Sequence, residues 1–440
     1  MSDLSSQPSA ARVDQPPPGM SAGTAARTAP GASAGTAPGV DGASGSGGTS
    51  GSGKGRIVGV DAARGVALLG MIATHVIPEF DDQGRLTTAH LIAAGRAAAA
   101  FAVLAGVALT LVTARAAHPH TSTFVRAVCI GAIGLALGVT DTRVAVILPY
   151  YSALFVLALP LLRAPRWVLA TVAAFAFLVE PVLSQLVRPH LAEPLMSNPS
   201  FDDLVVSPWR LALTILLTGY YPALAWIGYL AVGMLVGRLD LRSPRVAGLL
   251  LGAGAAVAAT ALAVSRLLLG PLGGLDAIEA SDSYLPGVGP VASGGLKPLL
   301  DSGLYGSTPT QSWWWLAIHS PHSSTPLDLL HTTGTAVALL GAALLVARLG
   351  AAAVVVIWPL AAVGSMTLTW YTLHAWVLST GLPQGTSYAR LYFQQVIPIV
   401  VLASLWRFTG RRGPLEAIIS VLARHATRQQ PSYRSSAAAR

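Results

Sequence analysis

From Ile57 onward the chain alternates long, almost unbroken apolar runs with short polar joints, and apolar residues dominate every face of each run rather than one stripe. A helix needs about 20 apolar residues to cross the hydrocarbon of a bilayer. Runs of that length occupy residues 57–77, 93–113, 122–140, 143–162, 166–188, 209–237, 243–269, 326–348, 354–379 and 391–407. The pattern predicts an all-α polytopic membrane helix bundle of about ten spans, nine to eleven allowing for boundaries. The sixth run is too long for one straight helix and contains Tyr220, Tyr221 and Pro222, so a kink or break is expected there.

Residues 1–52 are nearly all Ala, Gly, Ser, Thr and Pro, too poor in large apolar side chains to fold, and read as a disordered tail. No positively charged start leads into an apolar core there, so the tail is not a secretory signal. Arginines set the orientation. With the N-terminus in the cytoplasm, the inner joints receive Arg56, Arg115, Arg163, Arg166, Arg238, Arg242, Arg245, Arg348, Arg407, Arg411 and Arg412. The outer joints receive chiefly Arg85, Arg143, Arg188 and Arg390, together with Glu79, Asp81 and Asp82. This positive-inside bias predicts a multi-pass plasma-membrane protein with both termini cytoplasmic. The segments 189–208 and 270–325 then face outward, and 416–440 is a cytoplasmic tail.

Composition agrees, with 53% hydrophobic and 11% charged residues where soluble domains carry about a quarter charged. That excludes a soluble enzyme or a secreted module. The net charge of +9 is spread singly or in pairs between apolar runs, which is not the clustered basic face of a nucleic-acid partner. The single cysteine, Cys129, allows no internal disulfide and no cysteine-based metal site.

Polar residues inside the spans carry the chemistry. The first span reads Ile57-Val-Gly-Val-Asp61-Ala-Ala-Arg64-Gly65-Val-Ala-Leu68-Leu-Gly-Met-Ile72-Ala-Thr-His75. A charge deep in a spanning helix costs about 2.5 to 3.5 kcal/mol on insertion scales and usually faces the bundle interior. At 100° per residue Asp61, Arg64 and His75 share one face, Asp61 and Arg64 can partly neutralise each other, and His75 stands about 16 Å further along the axis. Asp61 and Arg64 could lie at the cytoplasmic headgroups with His75 as an interfacial histidine. Alternatively the face lines a cavity in which Arg64 holds an anion and His75 is a general base.

Arg96 opens the second span near the expected depth of His75, and can orient an oxygen acceptor or extend to the headgroups. The ninth span carries Thr367, Tyr371 and His374 on one face, which fits ordinary interhelical hydrogen bonding as well as a binding role. His319, His322, Asp328 and His331 precede or open the eighth span. Their spacing matches no standard metal motif and the prolines among them point to a structured turn, so no metal is expected.

With these residues in view, the chain resembles bacterial membrane proteins of the heparan-alpha-glucosaminide N-acetyltransferase catalytic-domain family, within the wider transmembrane acyltransferase group. The resemblance rests on Val60-Asp61-Ala-Ala-Arg64-Gly65-Val-Ala-Leu68-Leu, Gly95-Arg96 with Phe101-Ala-Val-Leu-Ala-Gly106, Thr218-Gly-Tyr-Tyr-Pro222 with Gly237-Arg238, and Pro321-His322-Ser-Ser-Thr-Pro326. Gly364 to Tyr371 and Gly413-Pro-Leu-Glu416 look like the uncharacterised C-terminal domain common in bacterial members. On this basis residues 53–240 form an acetyltransferase-like membrane domain and 241–415 a C-terminal membrane domain with the long outer loop.

The wider group uses an Arg and a His separated by ten residues in the first helix, and Arg64 and His75 have that separation. The animal enzyme's catalytic His, in the loop after this helix and followed by a nearby Trp, has no counterpart, because His90 is followed by Leu-Ile-Ala. The resemblance implies a membrane acyltransferase that moves an acetyl group from cytoplasmic acetyl-CoA to an extracytoplasmic hydroxyl or amine on a cell-surface glycan. His75, Arg64 and Asp61 would be catalytic, and Arg96, Tyr371, His374 and His322 would position the acceptor. Arg64, Arg115, Arg126 and Arg166 would hold the anionic CoA. The partners are then the bilayer, acyl-CoA, a carbohydrate acceptor and, in a homo-oligomer, further copies of the chain, with no nucleic acid. A secondary transporter or flippase for a small anion or lipid-linked sugar would need the same buried Arg, Asp and His, and a membrane scaffold would need none of them.

Overall fold

The computed structural model describes residues 56–428 apart from positions 115, 141, 143, 193, 196, 286–288, 292–294 and 382–385. The described chain is helical but for one two-residue antiparallel ladder, Tyr284–Leu285 with Gly289–Pro290, and an isolated bridge between Phe80 and Leu86. The principal helices are α1 (Val58–Val76), α2 (Thr88–Ala93), α3 (Arg96–Thr113), α4 (Pro119–Gly138) and α5 (Leu148–Leu157). They continue as α6 (Arg166–His190), α7 (Pro208–Thr218), α8 (Ala223–Val236), α9 (Pro244–Leu269) and α10 (Pro326–Val346). The last are α11 (Ala351–Gly364), α12 (Thr367–Ser379), α13 (Tyr388–Phe408) and α14 (Pro414–Arg428).

Six helices are individually long and apolar enough to cross a membrane, and two bent pairs bring the number to eight. The sequence led to about ten, and the surplus pair is α1 and α5. Helix α5 runs for ten residues before a 3-10 turn containing Pro160 ends it. Helix α1 carries Asp61, Arg64 and His75 and packs against α3, α10, α11, α12 and α13, so its neighbours are protein rather than lipid and high hydropathy is not demanded of it. The burial of the other helices sorts them into layers: α3 is 67% buried over its most apolar window, whereas α4 and α13 are each 22% buried and form the outer ring.

Small residues let the inner helices cross closely. A Cβ on Gly65 would strike the Leu360 carbonyl, and one on Gly364 would strike the Asp61 carbonyl, so α1 and α11 touch backbone to backbone. Gly106 and Gly233 do the same for α3 and α8.

The expected break in the sixth run is present: α7 ends in a π-helical turn over Thr214–Thr218 and α8 restarts after Pro222 at a bend of 53°. A second break, which the apolar pattern concealed, bends α11 against α12 by 65° around Ser365 and Met366. The freed N-terminus of α12 is capped from outside the helix. Glu416 Oε1 accepts from the Leu368 and Thr369 backbone N–H at 2.9 and 3.2 Å, and its Oε2 from the Thr369 hydroxyl at 2.6 Å. An acid on a helix N-terminus stabilises both the orphan amides and the dipole. The long loop before α10 has its own core of Leu269, Ile278, Leu296, Leu304 and Ile318 around the fully buried Trp315, whose indole N–H donates to Ser283 at 2.9 Å.

Candidate functional site

Helices α1 and α12 run in the same direction and are joined by two polar bridges. Near the start of both, an Arg64 guanidinium N–H donates to the Thr367 hydroxyl at 2.9 Å. Further along, His75 Nδ1 meets His374 Nε2 at 3.1 Å. The two imidazoles are nearly coplanar, at 6°, with centroids 5.3 Å apart. Rings piled face to face would sit closer; this separation is what two rings give when they meet edge to edge through one N–H···N bond.

That bond has a direction. His374 Nδ1 lies 2.7 Å from Gln395 Oε1 on α13. An amide oxygen only accepts, so Nδ1 of His374 carries the proton and its Nε2 is bare. A bare Nε2 requires His75 to donate from Nδ1, which leaves the lone pair of His75 Nε2 free. Among the described residues no hydrogen bond is made to that nitrogen, and it is not among the enclosed orphan atoms, so it borders accessible space. Gln395 thus fixes a tautomer two rings away. The arrangement suits proton abstraction by His75 Nε2.

The remaining wall comes from the turn before α10. His322 and His90 both face His75. His322 and Ser324 have φ of 57° and 53°, unusual for residues with side chains, and such strain is maintained where the surroundings over-determine it. Gly303 and Gly306 secure the turn, since Leu304 N–H donates to the Pro321 carbonyl and Gly306 N–H to the His322 carbonyl, both at 2.8 Å. The His322 imidazole stands edge-on to Tyr221, centroids 5.6 Å apart, and burial together with the facing His90 lowers its pKa to about 4. Between the bridges, the buried Tyr151 hydroxyl has no hydrogen-bond partner among the described residues and faces Arg64 and Tyr371. The Tyr371 hydroxyl accepts from the Ile147 N–H at 3.2 Å. A polar column therefore runs from Glu416 and Arg64 past Tyr151 and Tyr371 to His374, His75 and His322.

Other residues singled out in the sequence lie elsewhere. Asp61 pairs with Arg56 at 2.8 Å rather than with Arg64, so the neutralisation expected within α1 comes from the residue just before the helix. Arg96 turns toward His331, donating from Nε at 3.2 Å and from a terminal nitrogen to the Leu91 carbonyl at 2.9 Å. Arg115 lies outside the described residues, Arg126 faces Arg412 and Arg424 of the C-terminal segment, and Arg166 donates to the Arg238 carbonyl at 3.2 Å. Among the described residues no group of three or more His, Cys, Asp or Glu could hold a metal ion.

The comparison with known families fits this geometry. The family described as heparan-alpha-glucosaminide N-acetyltransferase, catalytic, matches residues 56–266, just under half of the 440. Residues 56–266 belong to that family. No curated protein and no solved structure matches the chain. The matched segment contains Arg64, His75, Tyr151 and Tyr221, but His374, Gln395, His322 and Glu416 come from beyond it. The site is therefore completed by the second half of the chain.

Three of these residues were not picked out from the sequence. Gln395 had a signal, since Gln394-Gln395 is a polar pair inside an otherwise apolar run. Glu416 stood in the Gly413-Pro-Leu-Glu416 motif without an assigned partner. Tyr151 gave none, being one tyrosine of two adjacent ones in an apolar stretch.

Proposed function

We propose that this protein is a transmembrane acetyltransferase that accepts an acetyl group from acetyl-CoA at the Arg56 end of the bundle and delivers it to an acceptor hydroxyl or amine at the His75 end. The observation that carries the reading is the unshared Nε2 of His75 at the end of the Gln395–His374–His75 chain, within a domain of an acetyltransferase family. The acceptor oxygen or nitrogen attacks the acetyl carbonyl as His75 Nε2 takes its proton. The new acetyl C–O or C–N bond forms, the C–S bond of the thioester breaks, and the proton passes from His75 to the departing thiolate to give the CoA thiol. Arg64, with one N–H on Thr367, has donors left for an anionic or carbonyl oxygen.

Counting α1 and α5 with the eight spans gives the ten of the sequence pattern, with both termini cytoplasmic and the His75 end facing out of the plasma membrane. The acceptor is a carbohydrate.

The broken α11–α12 span favours a second reading, a secondary transporter, because half-helix N-termini often hold anionic substrates. Here Glu416 already occupies the amides of Leu368 and Thr369, which argues for a fixed structural break. The deciding experiment measures binding and turnover of radiolabelled acetyl-CoA by the purified full chain. Saturable binding that Arg64→Ala weakens supports the acetyltransferase. A folded sample that neither binds nor consumes acetyl-CoA, yet accumulates substrate in vesicles, transfers the assignment to transport.

A further inference from the structure

Helix α6 is interrupted in mid-membrane. Pro181 cannot supply an N–H to the ladder and its ring crowds the carbonyl four residues back, and the helix responds with a π-helical turn over Phe175–Val179. Helix α7 has its own π turn over Thr214–Thr218, which brings Leu217 to the lining of a neighbouring cavity. Between α6 and the bend from α7 into α8 lies this cavity of about 540 Å³, lined by Phe175, Leu183, Leu217, Leu224 and Ile227, with Glu180 in its lining. That volume is in the range of pockets that enclose organic ligands. Its rim residues Phe175, Leu183 and Leu224 are exposed on the apolar flank of the bundle, while Ile227 at the floor is 9% exposed.

Glu180 is out of place in such a lining. It is 5% exposed, and none of the hydrogen bonds among the described residues is made to its carboxyl group. The neighbouring Arg188 donates to Ser184 at 3.0 Å, to Gln185 at 2.9 Å and to Thr308, and acts on Glu180 through its charge without a hydrogen bond. A carboxyl group in an apolar lining that receives no hydrogen bond among the described residues is matched by a ligand that brings hydrogen-bond donors. Glu180, Ser184 and Arg188 also line a second, polar pocket of about 10 Å³, room for about one water, whose far side is Pro222, Gly306, Ser323 and Ser324. Those residues adjoin Tyr221 and His322, which border His75.

We infer that this cavity binds a membrane lipid with a sugar head group, its hydrocarbon chain between α6 and the α7–α8 bend and its hydroxyls on Glu180, and that this lipid is the acetyl acceptor. The inference deepens the acetyltransferase reading and rests on it for the acceptor role. A hydroxyl of the head group would form the ester C–O bond as the thioester C–S bond breaks, with the hydroxyl proton leaving through His75 to the CoA thiolate. The acceptor then arrives sideways from the bilayer, not from solution.

The test uses the full chain in phosphatidylcholine nanodiscs with two probes carrying the same diazirine-labelled acyl chain, one a glucosyl diacylglycerol and the other a phosphatidylcholine. The glucosyl probe is expected to label residues 171–187 and 217–227 about tenfold more than the phosphatidylcholine probe, the discrimination set by about one hydrogen bond to the Glu180 carboxyl group. Glu180→Leu should remove that preference, and Ile227→Trp at the floor or Leu183→Trp at the exposed rim should suppress labelling by both. Equal labelling by the two probes in the wild type, or labelling that neither tryptophan changes, means ordinary boundary lipid and overturns the proposal. In the same discs, radiolabelled acetyl-CoA should place acetyl in the organic-extractable glucosyl lipid. Donor consumption with label only in water overturns the acceptor role and leaves the acetyltransferase standing. Selective labelling of the cavity without donor consumption sinks the acetyltransferase and retains the lipid site.

Discussion

Two histidine clusters stand in the same half of the bundle, and their hydrogen bonds separate them. In one, Gln395, His374 and His75 form a line in which each ring uses both nitrogens until the last, and His75 Nε2 is left over. In the other, His331 gives its Nδ1 proton to the Ala258 carbonyl at 3.0 Å and accepts from Arg96 at Nε2, so nothing is left over. Beside it His319 donates from Nδ1 to Ser265, whose own hydroxyl proton goes to the Ala317 carbonyl. Both clusters are largely buried. His319 Nε2 also makes no hydrogen bond among the described residues, so what distinguishes the reactive candidate is that its free lone pair ends a chain whose tautomers Gln395 fixes, whereas the second cluster ties α3, α9 and α10 together.

The sharpest way to break this comparison is to exchange the outcomes of mutation. His75→Gln should lower acetyl transfer about 10²- to 10⁴-fold, the usual contribution of a general base, without loss of folded protein. A residual rate within a few-fold of wild type would make His75 as structural as His331. Next in size, Gln395→Leu releases the tautomer and should cost on the order of 10²-fold, following the loss seen when a catalytic histidine is held in the wrong tautomer. Gln395→Glu preserves the acceptor oxygen and should restore most of the rate, which a purely structural role for Gln395 does not predict. His331→Phe should act on the other quantity, lowering stability by about 1–3 kcal/mol through the unpaired Arg96 and Ala258 groups while turnover per folded molecule holds.

The smallest effect is a pH dependence of stability from the turn that links the clusters. Burial holds both His319 and His322 at a pKa of about 4, against an ordinary 6.5. The unfolded chain therefore binds more protons than the folded one between those values, so the stability from keeping the two rings neutral is full above pH 6.5 and is lost as the pH falls toward 4. The midpoint of thermal unfolding should drop between pH 7 and 5, and His322→Gln should flatten that slope. An unfolding midpoint constant over the interval would show that these rings are not kept neutral.

Much of this was legible in the order of residues. Apolar runs located the helices, six to eight of them candidate spans, because a bilayer imposes a length, and Tyr220, Tyr221 and Pro222 marked the break before α8 because proline cannot continue a helix. Helical spacing brought Arg64 and His75 onto one face and Thr367, Tyr371 and His374 onto another, and the structure joins these two faces at both ends. Contacts over about 300 residues were beyond periodicity, however, since spacing along one helix does not say which helix it meets. The partner of Asp61 was misplaced for a related reason: Arg64 was the nearer charge in helical register, but Thr367 from α12 draws it away and Arg56 fills the gap. The break between α11 and α12 was hidden because Ser365 and Met366 look unremarkable in an apolar run, and its cap, Glu416, arrives from the other side of α13.

The central claim is a statement about protons, and nitrogen-15 NMR of histidine-labelled protein in bilayers reads it directly. The account predicts that His75 and His374 are both neutral with the proton on Nδ1, and that His75 Nε2 has the shift of an unprotonated, solvent-responsive nitrogen that Gln395→Leu converts to a mixture. A His75 ring protonated at Nε2 in the wild type would contradict the account, because the base it requires would already carry the proton it has to accept.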